Sequence, residues 1–403
     1  MIWKRKTLGD ISLSIQTGPF GSQLHQSDYS DEGTPVVMPK DLVNGTVSEE
    51  SIARVSKEHV ERLGKHKIQE GDILYSRRGD VGRCAFTAER EVGWLCGTGC
   101  LKVRVDKEEA EPKFVFYQLQ KAETIGWVIN HAVGSTMLNL NTSILSAVPV
   151  DIPEIETQRK IVNILAAYDQ LIKNNQKQIK LLEEAAQRLY KEWFVDLRFP
   201  DHEDVAIVDG VPAGWTEDTI DSKIDLLSGY AFKSTEFNDE GQYKIVTIKN
   251  VKDGQFDGEN VSRMIEIPAK MPEHCKLSDG DILLSLTGNV GRVCIVHGDN
   301  YLLNQRVAKI KSDNPTYAYC LFRSKDMFDE MSNLANGAAQ QNLSPIRTGK
   351  IKMDFPTDEL IYAFEEIVSP MIEKITMLNK TIMLLLQARD RLLPKLMSGE
   401  IEV

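Results

Sequence analysis

The sequence predicts a mixed α+β (α/β) chain: two pseudo-repeated globular parts and two long antiparallel coiled-coil helices, related by a circular pseudo-two-fold. Three observations carry this reading. Gly71-Asp-Ile-Leu-Tyr-Ser-Arg-Arg-Gly-Asp-Val-Gly-Arg83 recurs as Gly280-Asp-Ile-Leu-Leu-Ser-Leu-Thr-Gly-Asn-Val-Gly-Arg292 at an offset of 209 residues. Other segments repeat in the same order, so a whole module is duplicated rather than one loop. Each module then ends in a run of apolar residues spaced by fours and threes. The boundaries that follow are a first globular part over 1–150, a central helix over 151–196, a linker over 197–214, a second globular part over 215–352 and a C-terminal helix over 353–403.

Trp3 with Thr7-Leu8 answers Trp215 with Thr219-Ile220, and Gly18-Pro-Phe-Gly-Ser22 answers Gly229-Tyr-Ala-Phe-Lys-Ser234. Short β-rich runs lie between Gly-punctuated turns: Thr34–Met38, Cys100–Val105, Tyr243–Ile248 and Arg306–Ile310. In both long repeats Gly-Asp marks a turn, Ile-Leu starts a buried strand, and a polar loop with two glycines ends in arginine. Glycine lets backbone approach a phosphate or base edge, and arginine supplies a two-pronged donor for guanine or phosphate. The same loop also reads as a tight hairpin whose Arg83 or Arg292 makes an internal salt bridge.

The helices carry the strongest periodicity. Ile161, Leu165, Tyr168, Ile172, Asn175, Ile179, Leu182, Ala186, Leu189 and Trp193 form a heptad seam. Adding 203 gives Phe364, Val368, Met371, Ile375, Leu378, Ile382, Leu385, Arg389, Leu392 and Leu396, of which only Arg389 is not apolar. Two helices of about 40 residues would bury these seams most readily against each other, and connectivity requires them to run in opposite directions. Asn175 either fixes the register of the seam or faces solvent at an imperfect heptad. Pro394 and Gly399 are stop signals for the second helix.

Composition bounds the class. A net charge of −11 concentrates in the helices: residues 151–214 carry 8 basic and 12 acidic side chains and 353–403 carry 5 and 9, whereas 1–150 carry 18 and 19 and 215–352 carry 17 and 19. The globular parts are therefore near neutral, and charge neither favours nor excludes a nucleic-acid partner. Six cysteines show no CxxC pair, and Cys96 with Cys100 reads as two buried thiols rather than a ligand pair. No run approaches about 18 apolar residues, so the expectation is a cytoplasmic protein with no membrane partner. Catalytic motifs are missing. Asn314-Pro-Thr-Tyr317 is similar to the Asn-Pro-Pro-Tyr that holds a flipped adenine in amino-methyltransferases, but no glycine-rich loop precedes it and it reads as a type I turn. Thr348-Gly-Lys350 runs into Ile351 and forms no phosphate loop, and no nuclease set follows Pro200-Asp201.

The duplicated "GDIL…G.VGR" segments resemble those of the DNA-specificity subunit of type I restriction-modification systems. So do "GYAFKS" at 229–234, "LNQRVAKI" at 303–310, the helix entry "IPEIETQRKIVNILAAYDQLI" and the closing "LLPKLMSGEI". The resemblance spans 1–403. It departs at the helix entries, where the family's Glu-Gln is Thr157-Gln158 here and Glu359-Leu360 in the second copy. The resemblance implies that the globular parts are target-recognition domains for the two halves of a bipartite, asymmetric site in double-stranded DNA. It implies that the helices set the gap and dock two modification subunits that methylate adenine, and that restriction subunits cleave unmethylated DNA. The chain itself would be non-catalytic and bind no metal or cofactor; S-adenosylmethionine, ATP and Mg would sit in the partner subunits.

The expected DNA-binding residues of the first domain are Ser22, Gln23, Lys40, Arg77, Arg78, Arg83, Ser135, Thr136 and Asn139. Those of the second are Lys233, Ser234, Lys249, Asn250, Thr287, Asn289, Arg292, Gln305, Arg306, Gln340, Gln341 and Asn342. Asn and Gln suit adenine edges, whereas Arg and Lys suit guanine or phosphate. Because Arg77-Arg78 faces Leu286-Thr287 in the repeat, the half-sites are expected to differ. The other reading is a coiled-coil protein-interaction scaffold without sequence-specific DNA binding.

Overall fold

The computed structural model describes residues 3–134, 137–335 and 342–403, which form two compact units, Met1–Gln170 with Leu386–Val403 and Leu171–Leu385. In chain order the first unit contains β1 (Ser12–Thr17), β2 (Ile73–Ser76), β3 (Cys84–Phe86), β4 (Cys100–Val105), α1 (Pro112–Leu119) and α2 (Ala122–His131). The long helix α3 (Ile155–Tyr190) follows and ends in a π turn over Lys191–Val195. The second unit contains β5 (Ile224–Ser228), β6 (Ile282–Ser285), β7 (Val293–Ile295), β8 (Val307–Ser312), α4 (Pro315–Arg323) and α5 (Lys325–Ala335), and α6 (Asp358–Ser398) starts in it and ends, from Leu386, in the first.

The duplication extends to topology. The first unit has an antiparallel sheet of order β1-β4-β2-β3, and the second has β5-β8-β6-β7. Register repeats as well: Cys100 faces Ser76 and Val103 faces Ile73, as Val307 faces Ser285 and Ile310 faces Ile282. β2 and β6 are buried on both faces, which explains why "ILYS" and "ILLS" show no polar alternation. A second four-stranded sheet packs in each unit, built on Thr34–Val37 in one and Tyr243–Val246 in the other. Each unit is closed by an antiparallel strand pair, Lys4–Thr7 with Pro149–Ile152 and Thr216–Thr219 with Lys352–Phe355.

These closing strands correct the boundaries read from sequence. Residues 151 and 353, placed at helix starts, lie in strands, and the helices begin at Ile155 and Asp358 because Pro153 and Pro356 hold extended backbone before them. The stretch 197–214 contains a small hairpin, Ile207–Val208 with Val211–Pro212. Pro394 does not stop α6, which runs on to Ser398. Leu396 and Met397 in that last turn are each 1% exposed, and their burial offsets the proline penalty; Gly399, at φ +77°, ends the helix. Asn314-Pro-Thr-Tyr317 is the first turn of α4 rather than a β-turn, with Pro315 at the helix start where its missing N–H is harmless.

Both long helices contribute to each core. In the first unit Ile161 and Leu165 of α3 share a cluster with Leu396 and Met397 of α6, and Leu392 packs against it. In the second, Ala186, Tyr190 and Trp193 pack with Ile361, Phe364 and Val368. The start of α3 thus meets the end of α6 and the reverse, so the helices are antiparallel. Of the remaining seam positions, Ile172, Ile375, Leu378 and Ile382 are buried, while Tyr168, Ile179, Leu182, Leu189 and Leu385 are half-buried. Asn175 is 9% exposed, so it does not face solvent.

Polar anchors tie each domain to the helices. Tyr117 Oη donates to Asp169 Oδ2 at 2.5 Å, and Arg389 Nη1 donates to Asp169 Oδ1 at 3.1 Å. In the second unit Tyr319 Oη donates to Glu183 Oε1 at 2.6 Å and Arg323 pairs with the same carboxylate. Burial pushes the Glu183 carboxyl up, and the Arg323 charge opposes that shift. Gln158 guides the entry of α3, accepting from Glu111 N at 2.9 Å and donating to Pro153 O at 2.8 Å. The six cysteines are free and buried, and burial pushes the Cys84 and Cys96 thiols up to about 12. No helix among the described residues is long and apolar enough to cross a membrane.

Leu396→Ala is therefore expected to destabilise the first unit, although most of its partners lie more than 230 residues earlier. The cost should be about 2–5 kcal/mol in chemical denaturation followed by tryptophan fluorescence.

Candidate nucleic-acid interface

In each unit four chain segments converge at one end of the main sheet, and their backbone hydrogen bonds match. The hairpin loop between β2 and β3 holds Arg77 to Arg83, and the loop between β6 and β7 holds Leu286 to Arg292. Arg77 N donates to Gly99 O at 2.8 Å, as Leu286 N donates to Arg306 O at 3.0 Å. Arg77 O accepts from Leu140 N at 2.8 Å, and Leu286 O accepts from Leu343 N at 2.7 Å. Isolated antiparallel bridges set Arg78 opposite Asn139 and Thr287 opposite Asn342. The buried hydroxyls of Ser76 and Ser285 donate to the carbonyls of Arg78 and Thr287 at 3.1 and 3.4 Å. Gly79 and Gly288 take φ of +73° and +71°, the left-handed backbone that this tight loop requires.

The fourth segment follows β1 or β5. A Cβ on Gly18 would lie 1.9 Å from Gly97 O, and one on Gly229 would lie 2.2 Å from Asn304 O. Only glycine permits this approach, which is why the otherwise divergent "GPFGS" and "GYAFKS" segments both begin with it.

On this shared frame the side chains differ. In the first unit the Arg77 guanidinium lies 6.0 Å from the Phe20 ring centroid, and Phe20 is 55% exposed. In the second unit Leu286 is buried at the Arg77 position, and the cation comes from the facing loop as Arg306, where the first unit has Gly99. The positive group has moved across the same backbone pairing. Arg78, Lys233, Ser234, Asn289, Gln305, Arg306 and Asn342 are exposed, as is Ser22, while Gln23 caps its own turn by accepting from Phe20 N at 3.1 Å. Asn139 Oδ1, Arg77 Nε and Thr287 Oγ1 are buried without hydrogen-bond partners among the described residues. Ser135, Thr136, Gln340 and Gln341 lie outside the described residues.

Several expected contacts are engaged internally. Asn250 is 1% exposed: its Oδ1 accepts from Thr247 N at 2.8 Å and its Nδ2 donates to Asp257 O and Asn260 O, so it shapes a turn as its repeat counterpart Asp41 does. Its neighbour Lys249 is exposed. Lys40 Nζ donates to Ser51 O at 2.7 Å. Arg83 pairs with Asp80 at 3.0 Å, and Arg292 lies 3.8 Å from Asp253 with its guanidinium 4.8 Å from the Phe328 ring centroid. The salt-bridge reading of the two loop arginines therefore describes the free chain. Sequence reading missed Phe20, whose place inside a Gly-Pro-Phe-Gly turn is the one signal that marks an aromatic for exposure. It also missed Phe328, which no local pattern identifies.

Gly18→Ala should displace the facing loop and cost about 1–3 kcal/mol. Thermal unfolding would register the loss, and hydrogen exchange should locate it at the first rim, with the second unchanged.

Comparison with known proteins agrees with this architecture. The family model for the type I restriction modification DNA specificity domain matches residues 2–184 and 212–382. The chain is 24% identical over 389 residues to the type I restriction enzyme MjaIX specificity subunit of Methanocaldococcus jannaschii, covering 93% of this chain and 88% of that protein. It is 23% identical over 467 residues to the type I restriction enzyme HindI specificity subunit of Haemophilus influenzae, covering 99% of each. The crystal structure of a type I restriction-modification system S subunit from M. genitalium shares the fold, with a TM-score of 0.60 at 19% identity over 98% of this chain and 96% of that one. Two matched rims on a duplicated fold, with a family match across both copies, mean that the chain belongs to the type I restriction-modification DNA specificity family.

Proposed function

We propose that this specificity subunit reads a bipartite, asymmetric site in double-stranded DNA, one rim per half-site, and that its paired helices set the unspecified gap between the halves. The observation that carries this reading is the conserved backbone frame with divergent side chains. Two copies of one loop cluster keep the same hydrogen bonds while Arg77, Arg78 and Gly99 give way to Leu286, Thr287 and Arg306. A scaffold that bound only proteins would give no reason for that pattern. Backbone position is what lets a rim dock on a groove in a fixed register, and exposed Arg, Asn and Gln side chains then select bases.

Two modification subunits would dock on the helices and domains, hold S-adenosylmethionine and flip the target adenine, and restriction subunits would add ATP- and Mg-dependent cleavage. The chain's own contribution is recognition, and it would carry out no bond-making step. Near-neutral domains release few counterions, so the chain alone should bind DNA weakly and depend on its partners for affinity.

The experiment is competition binding of the assembled complex against duplexes permuted in one half-site at a time. Arg78→Ala should relax discrimination in one half and Arg306→Ala in the other, each by roughly tenfold. Ile179→Pro should disturb the gap or assembly without altering either half. Equal damage to both halves from Arg78→Ala would contradict the modular reading.

A further inference from the structure

We propose that Asn139 and Asn342 read the same base, an adenine, one in each half-site, and that the residues facing them, Arg78 and Thr287, set how the halves differ. This rests on the DNA-reading function proposed above. Asn139 and Asn342 stand at the same place in the two repeats, 203 residues apart, each directly across a backbone bridge from the second residue of the hairpin loop. Residues opposite each other in an antiparallel bridge project from the same face, about 5 Å apart, so each pair addresses one or two neighbouring base pairs. Around this pair the frame is constant in hydrogen bonding; of the two residues that face each other, the asparagine is kept on both rims and its partner changes.

The fold gives no reason to keep it. The backbone of Asn139 bonds to Val133, with N donating to Val133 O at 2.8 Å and O accepting from Val133 N at 3.0 Å, while the bridge to Arg78 is closed by the neighbours, Leu140 N to Arg77 O at 2.8 Å and Gly79 N to Leu138 O at 3.1 Å. Its side-chain Oδ1 is buried and has no donor among the described residues, so the carboxamide is unspent in the fold and would turn outward to meet a base. A carboxamide offers one acceptor and one donor side by side, and adenine is the base whose major-groove edge presents the matching donor and acceptor, N6 and N7. Arg78, exposed and without a side-chain partner among the described residues, has the length and the fork to reach guanine O6 and N7 beside that adenine. Thr287 is short and 9% exposed, so it offers no long donor beside Asn342 and leaves the neighbouring position to a different base.

The test is selection from a randomised duplex pool by the complex of the full chain with its modification subunits, using wild type, Asn139→Ala, Asn342→Ala and Arg78→Thr. Thermal unfolding of each variant checks that it is folded, as the unused side chain of Asn139 leads us to expect. The wild type should select a split motif with an adenine in both halves. Asn139→Ala should lose preference at that adenine in one half, by roughly 5- to 100-fold, and Asn342→Ala in the other. Arg78→Thr should lose a guanine next to the first adenine and leave the adenine itself. A folded Asn139→Ala variant that keeps the wild-type motif, or weakens binding to all sequences equally, overturns the assignment while leaving the DNA-reading function intact. A wild-type complex that selects no motif overturns both.

Discussion

The rest of the structure depends on the sharing of two long helices by both cores. The first unit is not a contiguous stretch of chain, since Leu396 and Met397 complete a cluster otherwise built from residues 8–165, and in the second unit Tyr190 and Trp193 join a cluster that reaches Val368. Burial of each large apolar side chain is worth about 1.5–3 kcal/mol, so each unit relies on segments far away in sequence for several kcal/mol of its stability. The two carboxylates that anchor the domains, Asp169 and Glu183, both lie on α3 although the repeat alone would put the second on α6. The pseudo-symmetry is therefore broken at the polar anchors while the apolar packing keeps it.

That architecture separates the work of position from the work of recognition. Strand register, the Gly18 and Gly229 contacts and the Ser76 and Ser285 hydroxyls fix the rims through backbone groups, which any sequence-compatible side chain can share. Exchange of Arg77 for Leu286, and of Gly99 for Arg306, then changes what the rim presents without moving it. If the rims read bases as proposed, such a frame would alter its target by a few substitutions, because a single well-made base contact is worth about 1–3 kcal/mol of discrimination.

Much of this was legible in the sequence, for reasons that particular residues make clear. The repeats fixed the two-unit fold because Gly71-Asp and Gly280-Asp begin strands buried on both faces, and the heptads from Ile161 to Leu396 kept their period for over four turns of the pattern. The site was harder. Arg78 meets Asn139 across 61 residues and Arg77 meets Phe20 across 57, and no local pattern encodes such pairings. Asn250 looked like a reader because it is polar and follows a lysine, yet the same chemistry made it the better turn-former, and the fold drew it inside. Pro315 looked like a turn signal and served instead as the first residue of a helix, a choice decided by the apolar face of the nine residues that follow Asn314.

Under the proposed function, one chain reads two different half-sites at a fixed separation. Mapping methylated adenines across the genome of the source cell, with this gene intact and deleted, tests it most directly. Deletion is expected to abolish methylation at one split, asymmetric motif and to leave all other methylation in place. An expressed, assembled system whose methylation is unchanged on deletion, or confined to a single continuous or symmetric motif, would contradict it.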